Sequence, residues 1–241
     1  MNDPFGIRPY GEAVNSIVKK SFEGIEAFLS ATCKPALDEL GLMLRDRVRV
    51  WRLNNALKIV EKAKGKFEFK DGELQLQANP KVALSIIENG SNEENEDLQD
   101  MWAGLFTTSF SEDGKDDENL IYISILKQLT LPEAKLLKYI CENSKKNILE
   151  NEIVAAQTIS MYGDQINQIT GIADYNKQEI ILYHLNGLRL SDRRGMYGPS
   201  GFQSASFNNK PLAWLSPTNL ALSFYLKCTG FNGTAKEYWN L

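Results

Sequence analysis

NPKVALSIIENGSNEENEDLQDMWAGLF, residues 79–106, reads as helix, acidic linker, helix. Pro80 suits a first helical turn because it has no amide to donate, and Val82, Ala83, Ile86 and Ile87 then recur at the spacing of one helical face. Asn89-Gly90 ends the pattern, glycine being the residue that takes a left-handed cap at least cost. Ser91 or Asn92 can cap the glutamate-rich turn that follows, and acids there complement the positive end of the next helix. That helix opens on Asp97-Leu98-Gln99-Asp100-Met101-Trp102-Ala103, with Trp102 as its core anchor. The stretch holds no catalytic motif; what it specifies is a mainly α chain.

Toward the N-terminus, Val14, Val18, Phe22, Ile25, Leu29, Cys33, Leu37, Leu40, Leu44, Val48 and Trp51 form one apolar stripe. Pro35 interrupts it, so the spacing predicts two helices, about 10–33 and 36–64, rather than one rod. The second carries Arg45, Arg47, Arg49, Arg52, Lys58, Lys62, Lys64 and Lys66, a candidate contact for phosphate or anionic lipid. The competing reading is a solvated face balanced by Glu88, Glu93, Glu94, Glu96, Asp97 and Asp100 downstream. Trp51, like Trp102, is read as core. KFEFKDGELQLQ places Asp71-Gly72 between alternating apolar residues, a β-hairpin signal at about 66–77. Residues 1–110 thus read as a helical module with a small hairpin.

The charged loop SEDGKDDEN, 111–119, separates this from a second module at 119–241. There the order is two short helices, a helical stretch around 151–161, a helix over 174–186, a strand at 188–190, a polar glycine-containing segment, a strand at 212–215 and a helix over 217–228. Helices followed by a strand, a long wing, a strand and a closing helix is the order of a winged helix-turn-helix. Its recognition-helix position offers Asn176, Lys177 and Gln178, with Asp174 and Glu179 set against phosphate. Lys177, Arg189, Arg193, Arg194 and Lys210 are the candidate nucleic-acid contacts. A module that binds protein, or is purely structural, competes with that reading.

Composition narrows the classes further. A hydrophobic content of 43%, a charged content of 24% and a net charge of -4 describe an ordinary folded protein, so any basic surface must be local. Cys33, Cys141 and Cys228 are far apart and form no CxxC pair, which argues for a reducing compartment and against structural zinc; the expectation is cytoplasmic. The first residues, MNDPFGIRPYGEAV, lack the pattern of a secretory signal, and no stretch has the length of a transmembrane segment. No phosphate loop, dinucleotide fingerprint, HExxH or GxSxG occurs, and no cofactor is implied. His184 reads as a satisfied buried histidine. Glu93, Glu96, Asp97 and Asp100 are the one arrangement arguable as a metal site, but helix N-termini attract acids without metal, so neither a metal nor a catalytic residue is assigned.

The order PALDELGLMLRDRVRVWRLNNALKIVEKA at 35–63, NPKVALSIIENGSNEENEDLQDMWAGLFTTS at 79–109, and ISILKQLTLPEAKLLKYI at 123–140 resembles the Abi-alpha family of bacterial proteins, named for abortive infection. LSPTNLALSFYLKCTG, 215–230, resembles that family's C-terminal helix. Asp97, Leu98, Gln99, Trp102 and Ala103 mark the family and are expected to be structural. The resemblance implies an antiphage protein that harms or arrests the infected cell, and it implies no mechanism. The apolar stripe suggests a homo-oligomer or protein partner; nucleic acid and the membrane surface are the other partner classes.

Overall fold

The computed structural model describes residues 24–43, 47–66, 76–149, 152–192 and 212–241. The chain up to Lys127 forms one compact unit together with Lys227–Asn232, and Gln128–Leu226 with Gly233–Leu241 forms the other. The described residues are mainly helical, and their strands form two-stranded antiparallel pairs. No helix among them is long and apolar enough to cross a membrane.

The first unit contains helices α1 (24–32), α2 (Lys34–Met43), α3 (Arg47–Lys66), α4 (Pro80–Gly90), α5 (Glu96–Thr107) and α6 (Asn119–Leu126). Its strands are β1 (Gln77–Ala78) and β2 (Phe110–Ser111). The break expected near Pro35 falls at Cys33, so the proline sits in the first turn of α2, where its missing amide costs nothing. The helix expected over 36–64 is described as α2 and α3. Ile25, Leu29, Cys33 and Leu40 of the predicted stripe are buried within this unit. Trp51 corrects the prediction: it is 38% exposed, because the inner face of α3 is set by Leu53, Ala56, Leu57, Val60 and Ala63.

Helices α3 and α5 make the unit's most extensive helix contact. They run parallel, since the partners advance together: Asn55 meets Gln99, and Thr107 Oγ1 donates to the Ala63 carbonyl. Trp102 is buried, as expected of a core anchor. A Cβ on Gly90 would lie 2.8 Å from Ile59 Cδ1 and 3.2 Å from Trp102 Cγ. Gly90 is not left-handed, so it packs closely against Ile59 and Trp102 rather than serving as the left-handed cap expected of it. The predicted hairpin falls on 67–75, outside the described residues; Lys66 at its start ends α3, and Gln77 pairs with Ser111.

The second unit contains α7 (Leu131–Asn143), β3 (Lys146–Ile148), β4 (Val154–Ala156), β5 (Ile159–Met161), α8 (Gly163–Thr170), α9 (Tyr175–Gly187), β6 (Ala213–Leu215) and α11 (Ala235–Tyr238). Between the last two comes α10 (Asn219–Thr229), whose residues from Lys227 belong to the first unit. The helix expected around 151–161 is instead β4 and the start of a second pair, in which β5 runs antiparallel to β6 with Ile159 opposite Leu215. Ile153-Val154-Ala155-Ala156 is an unbroken apolar run without helical spacing, and the β-branched residues favour strand. The strand expected at 188–190 is a turn, with only Ser191 bridging to Pro217. Helix α8 had no counterpart in the sequence reading. It ends on Gly171, left-handed at φ 77°, and packs on α7 and α9.

Candidate functional site

The acidic linker is held by a buried polar network. Asn95 is the N-cap of α5, its Oδ1 accepting from the amides of Asp97 and Leu98, which places the cap later than the expected Ser91 or Asn92. Gln99, fully buried, donates through Nε2 to the Glu93 carbonyl at 2.7 Å and lies 3.5 Å from Asn55 Oδ1. Asn55 in turn donates to the Ser91 carbonyl at 3.1 Å. Among the family-marking residues, Leu98, Gln99, Trp102 and Ala103 are therefore inside the unit, while Asp97 is exposed.

The same network accounts for much of the basic helix. Arg52 donates to Ser91 Oγ and to the Glu88 carbonyl, both at 3.0 Å. Lys62 pairs with Glu96 and Asp100, and Lys66 with Asp100. Lys58 and Lys64 are exposed. Arg45 and the Arg49 side chain lie outside the described residues. No group of three or more His, Cys, Asp or Glu side chains among the described residues is placed to hold a metal ion.

In the second unit, Glu133 closes a capping box on α7: its Oε2 accepts from the Thr130 amide and hydroxyl at 2.8 and 2.7 Å. Its Oε1 lies 2.6 Å from His184 Nδ1, which fastens α9 to the start of α7. His184 is partnered, as the sequence suggested, but it is not buried, being 40% exposed. At the other end of α7, Lys146 donates to the Cys141 and Glu142 carbonyls and lies 4.8 Å from the Trp239 ring centroid. Burial holds its amine below the usual lysine value, and burial pushes the Cys141 thiol up to about 12. No motif or spacing in the sequence pointed to this cluster.

Helix α9 presents the most distinctive outer surface. Asp174 caps it, accepting from the amides of Asn176 and Lys177, so this acid serves the helix end. Gln178, expected to face outward with its neighbours, is 1% exposed and donates to the carbonyls of Gly163 and Ile172. Asn176 and Lys177 do face solvent, and so do Ile180 at 65% and Tyr183 at 43% exposure. Ile180-Ile181-Leu182 sweeps about 200° of helix surface, more than one buried stripe can cover. That arithmetic was the signal for an outward apolar residue. Arg189 stands just beyond α9, exposed and left-handed at φ 59°. Arg193, Arg194 and Lys210 lie outside the described residues.

A model of the family described as Abortive infection alpha matches residues 52–211, about two thirds of the 241-residue chain. The match takes in the marker residues and α9, and it leaves the likenesses read at 35–51 and 215–230 outside. No curated protein and no solved structure matches the chain.

Proposed function

The chain belongs to the Abortive infection alpha family, and on that premise we propose that it is a cytoplasmic antiphage protein whose second unit engages a protein partner through the outer face of α9. Membership itself suggests a role in abortive infection; the partner and the surface are our reading. One observation carries it. Ile180 and Tyr183 stand exposed at the centre of a helix whose other face is packed, with Asn176 and Lys177 beside them. Apolar and aromatic residues ringed by polar ones are what protein interfaces use as anchors.

The order α7, β5, α8, α9, β6, with β5 paired to β6, supports a winged-helix reading of the second unit, in which α9 takes the recognition position. On that reading the module binds rather than catalyses. Of the N-terminal stripe, which first suggested an oligomer, Ile25, Leu29, Cys33 and Leu40 are buried inside their own unit, and these four lend that idea less support. Membrane contact through the basic helix is supported less as well, because Arg52, Lys62 and Lys66 are engaged by the acidic linker.

The test is a plaque assay with the gene carrying Ile180→Asp or Tyr183→Ser. Both variants are expected to fold with unchanged circular dichroism and to lose protection; protection at the wild-type level by both would end the proposal. A second reading, nucleic-acid binding, rests on exposed Lys177 and Arg189. It predicts binding of a random duplex, measured by fluorescence anisotropy, that weakens steeply with salt and falls in Lys177→Ala.

A further inference from the structure

We propose that His184 is a phosphoryl-acceptor site: its Nε2 takes a phosphoryl group from a phosphoramidate-class donor, in which phosphorus is bonded to a leaving nitrogen, while Glu133 orients the ring. His184 is the chain's only histidine. Its Nδ1 lies 2.6 Å from Glu133 Oε1, a short hydrogen bond. The Glu133 side chain is 2% exposed, and its other oxygen is taken by the Thr130 amide and hydroxyl.

Orientation is the first argument. A carboxylate only accepts, so the imidazole donates through Nδ1 and its lone pair is fixed on Nε2. The carboxylate is the buried partner and the ring faces outward, with 40% of the His184 side chain exposed. Nε2 makes no hydrogen bond among the described residues and is not a buried orphan, so it reaches solvent. A tie between α9 and α7 needs only a donor, which asparagine or lysine would also supply. Imidazole alone supplies the donor and leaves a nucleophilic nitrogen on the outside.

The surroundings decide between chemistries. A metal site needs further ligands, and no group of three His, Cys, Asp or Glu side chains among the described residues supplies them. A general base needs a reacting hydroxyl held against it, and Nε2 holds none. Phosphoryl acceptance asks only for an open approach and a negative charge behind the ring. Gly187 lies one helical turn on, where a side chain would lean back toward His184; an added Cβ there meets nothing within 4 Å, so the approach is open. In the step, the Nε2 lone pair attacks phosphorus and an N–P bond forms. The donor's P–N bond breaks, and its electron pair leaves with ammonia. The bond made and the bond lost are of one kind, so no further reactant is consumed. The positive charge developing on the ring lies against Glu133, and the Nδ1 proton stays in that hydrogen bond. The group added carries about two negative charges, one helical turn from Ile180, and on the partner reading above that charge opposes an apolar docking surface. Acceptance itself needs no partner, so either reading can fail without the other.

Incubation of the full chain with potassium phosphoramidate at neutral pH, followed by phosphorus NMR and intact mass, tests the proposal. One acid-labile phosphoryl group is expected on Nε2, formed about tenfold or more faster than on N-acetylhistidine under the same conditions, and none in His184→Asn. Glu133→Gln keeps an oxygen for the capping box of α7 and removes the carboxylate, so circular dichroism is expected to be unchanged while the rate falls about tenfold or more. Should Glu133→Gln fold poorly, the comparison with N-acetylhistidine decides alone. The proposal is overturned if the chain reacts no faster than N-acetylhistidine, if the group is carried on Nδ1 or on another residue, or if folded Glu133→Gln reacts at the wild-type rate.

Discussion

Two glycines in helices show how little of a residue's role lies in its type. A Cβ on Gly104, in the last turn of α5, would lie 1.9 Å from the Cys228 carbonyl oxygen and 2.9 Å from the Gly230 amide nitrogen. Backbone cannot step aside as a side chain can. Alanine normally gains about 1 kcal/mol over glycine inside a helix. In Gly104→Ala that gain is expected to be outweighed by overpacking of roughly 1–3 kcal/mol or more, seen as a lower urea midpoint. Gly65→Ala is the control, since nothing lies within 4 Å of its added Cβ, and it is expected to be neutral or to stabilise by up to about 1 kcal/mol. Equal effects from the two substitutions would contradict the close approach at Gly104. Cys141 makes a second residue-scale prediction. Its thiol is pushed up to about 12 by burial from an ordinary 9.0, so in that window the unfolded chain releases a proton that the fold retains. Stability is fully present below pH 9.0 and falls as pH rises toward 12, by at most about 1.4 kcal/mol per pH unit from this group. Lys146 opposes the trend, its depressed amine adding stability as pH rises toward 10.5. Cys141→Ala is expected to flatten the alkaline limb of the urea midpoint against pH, and an unchanged slope would show that the thiol titrates normally.

At the scale of elements, the cap of α5 decides how the acidic linker is held. Asn95→Ala removes the acceptor for two amides and is expected to cost about 1 kcal/mol, whereas Asp97→Ala, an exposed acid, is expected to change the melting temperature little. The reverse order would mean that the acids, rather than the cap, hold the helix end. The sequence already carried α4, α5, α7 and α9, because each has an apolar face at helical spacing and a stop signal. The exact cap was not legible: residues 91–96 offer several capping side chains, and the choice is made by Gln99 and Asn55 gripping the linker from outside it. Strands β5 and β6 were partly hidden for a similar reason. Each is three residues long, and neither has a local signal for a partner more than fifty positions away. Helix α8 buries only Ile166 and Thr170, too little periodicity to read. In the candidate surface, Lys177 was placed correctly outward and Gln178 was not, since only tertiary contact gives its amide the Gly163 and Ile172 carbonyls.

The whole molecule departs from a simple division into two consecutive modules. Lys227–Asn232 belongs to the same compact unit as the chain up to Lys127. Lys227 pairs with Glu118 at 3.6 Å, Lys66 Nζ donates to the Thr229 carbonyl at 3.5 Å, and the Cys228 backbone fills the notch left by Gly104. Helical spacing in 215–230 tells which face is buried and says nothing of what buries it, so the sequence assigned this helix wholly to the second module. One consequence can be measured. Residues 1–127 produced alone would retain α1 to α6 and lose the segment that covers Gly104 and the end of α3. Exposed ion pairs contribute little by themselves; the loss of packing against α5 should dominate. The fragment is expected to bind an apolar dye and to unfold at a lower urea concentration, with a broader transition, than the full chain followed through Trp102. A fragment that unfolds sharply at the same midpoint would show that Lys227–Asn232 is not part of the unit's core, and that a single cut between Lys127 and Gln128 separates two self-sufficient domains.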